Sequence, residues 1–289
     1  MQLKRVTILG VGLLGGSIGL ALKSAISGCE IVGYGHRSST LDRAREVGAI
    51  DDGTTDPAAA VAGSDLVILC TPVLTFAELL RQIRPSLTPG AIVTDVGSTK
   101  RSVVEAAEAI LPSNVHFVGS HPMAGSEKRG VEFARTDLFK NAICIVTPTP
   151  KTIESAKEHV KNLWKLLGMR VTELSPTAHD QLLADVSHLP HLTAAALVAM
   201  QQDRALDLCG KGFLDTTRVA GGDGALWRDI VIDNRDNVRS AILRLRDQFD
   251  ELLKLMDAED SEPLRQWLDA AAKRREELVQ KKLREMNPE

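Results

Sequence analysis

Through the first 175 residues, short apolar runs alternate with stretches whose apolar positions recur at helical spacing. The runs Val6–Leu9, Glu30–Gly33, Leu66–Cys70, Ile92–Asp95, His116–Val118 and Ile143–Thr147 are short and rich in β-branched residues, which predicts strands; Arg170–Glu173 is a candidate edge strand. Leu74–Arg84 and Arg101–Leu111 carry the helical period between them. Thr147-Pro148-Thr149-Pro150 opens a further helix predicted to end near Gly168. Strands that are apolar throughout and alternate with helices predict a mostly parallel sheet covered on both faces.

After Ser175-Pro176 the pattern changes. No further strand signal follows, and His179–Gln202, Asp229–Met256 and Glu262–Met286 read as helices. In the last, Leu264, Trp267, Leu268, Ala271, Leu278 and Leu283 form an apolar stripe along a charged helix. The expected class is α/β: a doubly wound dinucleotide-type domain over 1–174, then a helical substrate and dimerisation domain over 175–289. Long apolar faces on an all-helical second half predict a homodimer through the helical domain; the alternative is that these faces close on the first domain.

Composition narrows the function classes. The 289 residues hold 35 Lys and Arg against 38 Asp and Glu, a net charge of -3, so no basic excess points to nucleic acid. Cys29, Cys70, Cys144 and Cys209 have no paired spacing, which predicts reduced thiols rather than a disulfide frame or a metal site. Lys4-Arg5 runs straight into the first strand without a signal-peptide core, and the run Leu192–Met200 is far shorter than the ~20 residues of a membrane span. The expectation is a soluble cytoplasmic protein with no membrane or nucleic-acid partner.

Gly10-Val11-Gly12-Leu13-Leu14-Gly15 follows the first strand and opens a helix. Gly10 permits a tight turn, Gly12 lets backbone approach a pyrophosphate, and Gly15 allows helix and strand to pack closely. The loop, including Leu13 and Leu14, predicts a Rossmann-type dinucleotide site. Gly35, 20 residues after Gly15, stands where an NAD site carries a carboxylate. His36, Arg37, Ser38 and Ser39 follow instead; these suit a 2′-phosphate, so NADP+ is favoured, with NAD+ the alternative. Thr71 and Pro72, just past the fourth strand candidate, complete the predicted cofactor set.

In an open parallel sheet, ligands bind beyond the carboxyl ends of the strands. Asp95-Val96-Gly97-Ser98-Thr99-Lys100 places Ser98 there, either beside the reactive end of a cofactor or as the cap of the helix near Arg101. Val118-Gly119-Ser120 delivers His121 to the same edge, as a proton acceptor or as a packed loop histidine.

Five motifs in order are Gly10–Ser17, Asp95–Lys100, Gly119-Ser-His-Pro-Met-Ala-Gly-Ser-Glu127, Ser187-His-Leu-Pro-His191, and Thr217-Arg-Val-Ala continuing to Trp227-Arg-Asp-Ile230. Together they resemble the prephenate/arogenate dehydrogenases of tyrosine biosynthesis, collinearly over nearly the whole chain. The resemblance implies oxidative decarboxylation of a cyclohexadienol. His121 takes the C4 hydroxyl proton as hydride passes to the nicotinamide, CO2 leaves, and the ring becomes aromatic. It implies that Ser98 hydrogen-bonds the hydroxyl or His121, that Arg218 binds a substrate carboxylate, and that His191 and His188 lie in the substrate pocket. Glu127 and Asp215 then stand at the pocket entrance, Trp227 lies in the helical domain, and no metal is required. Without the resemblance, His188 and His191 read as packing around Pro190; Trp227 is equally a core candidate. Leu214 departs from the family, which often has a basic residue before the aspartate, so an ionic gate there is in doubt. No regulatory domain is expected. Prephenate is the default substrate and arogenate the alternative. Rival readings are a β-hydroxyacid dehydrogenase or imine reductase of the same fold, and a non-catalytic nucleotide sensor.

Overall fold

The structure, a computed structural model, describes residues 3–126 and 128–286. Eight strands form one sheet: β1 (Arg5–Leu9), β2 (Glu30–Tyr34), β3 (Asp52–Thr54), β4 (Leu66–Leu69), β5 (Ile92–Asp95), β6 (His116–Pro122), β7 (Ile143–Thr147) and β8 (Arg170–Glu173). Their spatial order is β3-β2-β1-β4-β5-β6-β7-β8, so the chain winds outward in both directions from β1 and β4. All neighbours are parallel except β6 and β7, and the last two strands therefore run against the other six.

Alternation along each strand builds two cores. Val6 and Ile8 of β1 join Ile31, Ile68, Val118 and Trp164 on one face, while Leu9 joins Val32, Val67, Leu69, Phe76 and Val93 on the other. Because helices cover both faces, both sets are buried, which is why the strands read as continuous apolar runs. The edge strand β3 escaped the sequence reading: Asp52-Gly53-Thr54 has no apolar run and joins the sheet by backbone pairing to Val32–Tyr34. β6 also runs past its predicted end at Val118. Its polar residues stay inside the sheet because the Ser120 hydroxyl donates to the Asp95 carbonyl (2.6 Å) and accepts from the Trp164 indole (3.0 Å).

By compactness the chain divides into residues 1–235 and 236–289, whereas its composition changes after Ser175. The predicted helix Asp229–Met256 is two helices, Gly224–Asp233 and Arg235–Asp257, interrupted at Asn234, whose side chain donates to the Asp180 carbonyl at 2.7 Å. Among the described residues of the 236–289 unit, two long helical runs leave Phe249, Leu253, Leu268, Leu278 and Leu283 exposed. By length and composition the helical run Pro176–Ala199 is long and apolar enough to cross a membrane. Two of its polar side chains, however, bond to the sheet domain: His179 to His121 in β6, and Asp180 to the Lys100 and Arg101 amides.

Candidate active site

The loops after β1 and β4 meet where the strand order reverses, the expected crevice of a doubly wound sheet. A Cβ on Gly10 would stand 2.8 Å from the backbone of Cys70 and Thr71, and one on Gly15 would stand 2.1 Å from the Gly10 carbonyl oxygen. A Cβ on Gly12 would meet nothing within 4 Å. The turn is thus closed from below and open above. Gly12 starts the helix Leu13–Ala25 without a side-chain cap or an acidic residue in its first turn, so the terminal amides suit a pyrophosphate. Thr71 and Pro72 flank this loop. His36, Arg37, Ser38 and Ser39 are exposed at the end of β2 and the start of the helix Ser38–Glu46, with His36 Nδ1 3.3 Å from the Tyr34 hydroxyl.

His121 lies within β6 and is 8% exposed. Its Nδ1 is 2.9 Å from His179 Nε2, and His179 Nδ1 is 2.8 Å from Asp180 Oδ1. The Asp180 carboxylate also accepts from Lys100 N–H (2.7 Å) and Arg101 N–H (2.9 Å), capping the helix Arg101–Ile110 from 79 residues away. Ser98 was the sequence candidate for that cap. It does not fill the role, because the orphan amides at a helix start donate to any well-placed carboxylate, and Asp180 brings a full charge. Nor does the Ser98 side chain bond His121; the imidazole's partner is His179.

Behind this chain sits a fully buried ion pair between Lys100 and Asp95. Asp95 also accepts from Gly97 N–H (2.8 Å) and Ser120 N–H (3.0 Å), which ties the Ser98 loop to β6. Burial, with the charges of His179, Lys100 and His188, drives the His121 pKa well below that of free histidine. Burial likewise lowers His179, although its bond to Asp180 opposes the shift. Burial alone would raise Asp180, but the bonds from His179 and the two helix amides outweigh it and hold the carboxyl low.

His179, His188 and His191 share one helical run with a π turn at Ala184–His188. At about 100° per residue, His179 and His188 would point to opposite sides of a regular α-helix. A π turn takes up roughly one residue, which brings His188 to about 80° and His191 to about 20° from the direction of His179. Pro190 supplies a cause: it has no N–H for the Val186 carbonyl, and its ring crowds that oxygen. The Asn234 amide donates to His188 Nδ1 (3.2 Å), so His188 carries its proton on Nε2. That buried Nε2 has no aligned partner, although the Ser98 carbonyl lies close enough to favour its protonation. Burial pushes His188 down to about 4.

His191 stacks on Trp227, with ring centroids 3.5 Å apart and planes 10° apart. Its buried Nδ1 has no aligned partner among the described residues, although the Val219 carbonyl lies close enough to favour protonation of the ring. Trp227 is half-buried between His188, His191 and Gly222 rather than a core residue. Arg218 and Asp215 are exposed near this pair on Lys211–Gly221, and neither side chain is engaged by a described residue. Glu127 lies outside the described residues.

The sequence reading singled out His121, Ser98, His188 and His191, which the fold brings to one edge. It missed His179, Asp180, Asn234 and the Asp95–Lys100 pair. Asp95 and Lys100 share a motif, so their pairing had a local signal. His179 stands 58 residues from His121, and only the fold makes them neighbours.

Residues 18–173 match the family described as prephenate dehydrogenase, nucleotide-binding domain, and residues 175–270 match prephenate dehydrogenase, dimerization domain. Over 285 residues the chain is 37% identical to the prephenate dehydrogenase of Bacillus subtilis (strain 168), covering 96% of this chain and 77% of that protein. The crystal structure of prephenate dehydrogenase from A. aeolicus in complex with hydroxyphenyl propionate and NAD+ is similar with a TM-score of 0.90 and 36% identity, over 96% of this chain and 99% of that one. Synechocystis arogenate dehydrogenase follows at TM-score 0.82 and 29% identity, covering 95% of this chain and 99% of that one. With both of its halves matched and its fold shared throughout, the chain belongs to the prephenate dehydrogenase family of nicotinamide-dependent oxidoreductases.

Proposed function

We propose that this chain converts prephenate to 4-hydroxyphenylpyruvate, with His121 as the base. The observation that carries the assignment is a nearly buried imidazole, its pKa lowered by burial, anchored at Nδ1 on a sheet strand beside the cofactor crevice. The nicotinamide, when bound, supplies the hydride acceptor. Gly10, Gly12, Leu13, Leu14, Gly15, Thr71 and Pro72 would hold the dinucleotide. His121 Nε2 takes the C4 hydroxyl proton and Ser98 orients that hydroxyl. Loss of the ring carboxylate as CO2 then leaves an aromatic phenol, which makes the step downhill. Arg218 is an unengaged guanidinium suited to a bidentate carboxylate contact. The buried ring nitrogens of His188 and His191 offer further polar contacts, Trp227 supplies a flat apolar wall, and Asp215 lines the entrance.

NADP+ is the preferred cofactor in this reading, supported by the exposed Arg37, Ser38 and Ser39 at a helix start without acidic residues. NAD+ is the second reading, because the A. aeolicus relative is described in complex with it. A homodimer formed by the exposed apolar helices and a cytoplasmic location complete the proposal, the former supported by the family's dimerization domain.

The test is a four-way comparison of prephenate and arogenate with NADP+ and NAD+, following reduced nicotinamide by absorbance. Prephenate with NADP+ should give the highest kcat/KM. His121→Asn should lower kcat by about 10²–10⁴ with cofactor affinity nearly unchanged. An unchanged kcat would remove His121 as the base, and sedimentation as a monomer at micromolar concentration would remove the dimer.

A further inference from the structure

His121 must present a bare nitrogen to a substrate hydroxyl, yet a neutral imidazole carries its proton on either nitrogen with little intrinsic preference. Three linked contacts remove that freedom. Asp180 receives two backbone N–H groups besides the His179 ring, and an ionised carboxylate only accepts. His179 therefore bears its proton on Nδ1, which leaves a lone pair on Nε2. That lone pair, 2.9 Å from His121 Nδ1, requires the His121 proton to sit on Nδ1. His121 Nε2 is then the lone-pair nitrogen, and it makes no hydrogen bond to any described residue.

We propose that His179 and Asp180 are positioning residues that hold His121 in its Nδ1–H tautomer, so that Nε2 is the acceptor before substrate arrives. The reasoning rests on the assignment of His121 as the base. When Nε2 takes the hydroxyl proton, the Nδ1 proton of His121 shifts along its bond to His179 Nε2, and the positive charge moves next to the Asp180 carboxylate. The proton on His179 Nδ1 stays where it is, and no proton leaves the chain of three residues. The groups facing the two rings from the surrounding elements are Asp95 at the end of β5, Lys100 on the Ser98 loop, and His188 on the helical run. Lys100 opposes a second proton on either ring, which keeps the resting pair neutral.

The arrangement is directly visible in long-range proton–nitrogen correlation spectra of the 15N-labelled protein, free of substrate. The His121 signals, identified by their loss in His121→Asn, should show a protonated Nδ1 and a bare Nε2. A wild-type spectrum with the proton on Nε2 would overturn the proposal without any further variant. His179→Leu removes the acceptor and should move the His121 proton to Nε2, lowering kcat about a hundredfold or more while KM for prephenate changes little. His179→Gln keeps one acceptor and one donor and should recover most of that loss. A folded His179→Leu protein with wild-type kcat would also overturn the proposal. The spectrum needs no substrate, so failure of the tautomer and failure of the prephenate reading are told apart.

Discussion

Lys100 and Asp95 are both 0% exposed, and their ion pair lies directly behind the His121 strand. Replacing Lys100 with Met keeps most of the side chain's volume and removes only the charge and its donors, so little cavity energy enters. Removing one partner of a buried pair typically costs about 3–5 kcal/mol, because the other charge stays buried. Two backbone amides at 2.8 and 3.0 Å remain on Asp95, which puts the expected loss near the low end, about 3 kcal/mol. Urea unfolding followed by tryptophan fluorescence and far-ultraviolet circular dichroism measures it. The double variant Lys100→Met with Asp95→Asn removes the stranded charge but replaces one oxygen that accepts a backbone N–H with an amide nitrogen, so the net recovery is about 1 kcal/mol. A single-variant loss below about 1 kcal/mol, or a double variant no more stable than the single, would refute the claim that a paired buried charge holds this loop.

Gly222→Ala places a Cβ 2.4 Å from Trp227 Nε1 and 3.0 Å from His191 Cε1, so the stacked pair must move; KM for prephenate should rise severalfold while the melting temperature shifts little. Gly15→Ala sets a Cβ 2.1 Å from the Gly10 carbonyl oxygen and 2.9 Å from Ile8, and should abolish measurable nucleotide binding by fluorescence titration along with a loss of about 1–3 kcal/mol in stability. Burial holds His188 at about 4, below the unfolded value, so between about pH 6.5 and 4 the unfolded chain binds more protons and stability is lost as pH is lowered. Up to about 3 kcal/mol is at stake over that window, and His188→Asn should flatten the slope of melting temperature against pH; equal slopes would dismiss the account.

The strands of the first half were legible because each is buried on both faces and so is apolar throughout. The glycine loop was legible because each glycine answers a local need that Gly10 and Gly15 meet by backbone contact. β3 was not legible, since three polar residues join an edge through backbone alone and leave no pattern in the side chains. The continuation of β6 through Ser120 and His121 was hidden too, because partners elsewhere in the fold satisfy those polar residues.

By itself the sequence determined that a dinucleotide loop opens the chain, that Ser98 follows a strand at the sheet edge to which His121 is also delivered, and that His188 and His191 lie on a later helix. These are local facts, set by spacing, glycine and periodicity. The tertiary structure alone decided that His179 and Asp180 stand behind His121, that Asp180 rather than Ser98 caps the helix Arg101–Ile110, and that a π turn aligns the three helical histidines. Hydrogen bonds between residues 58 to 80 positions apart depend on how the chain returns on itself, and no local pattern encodes that return.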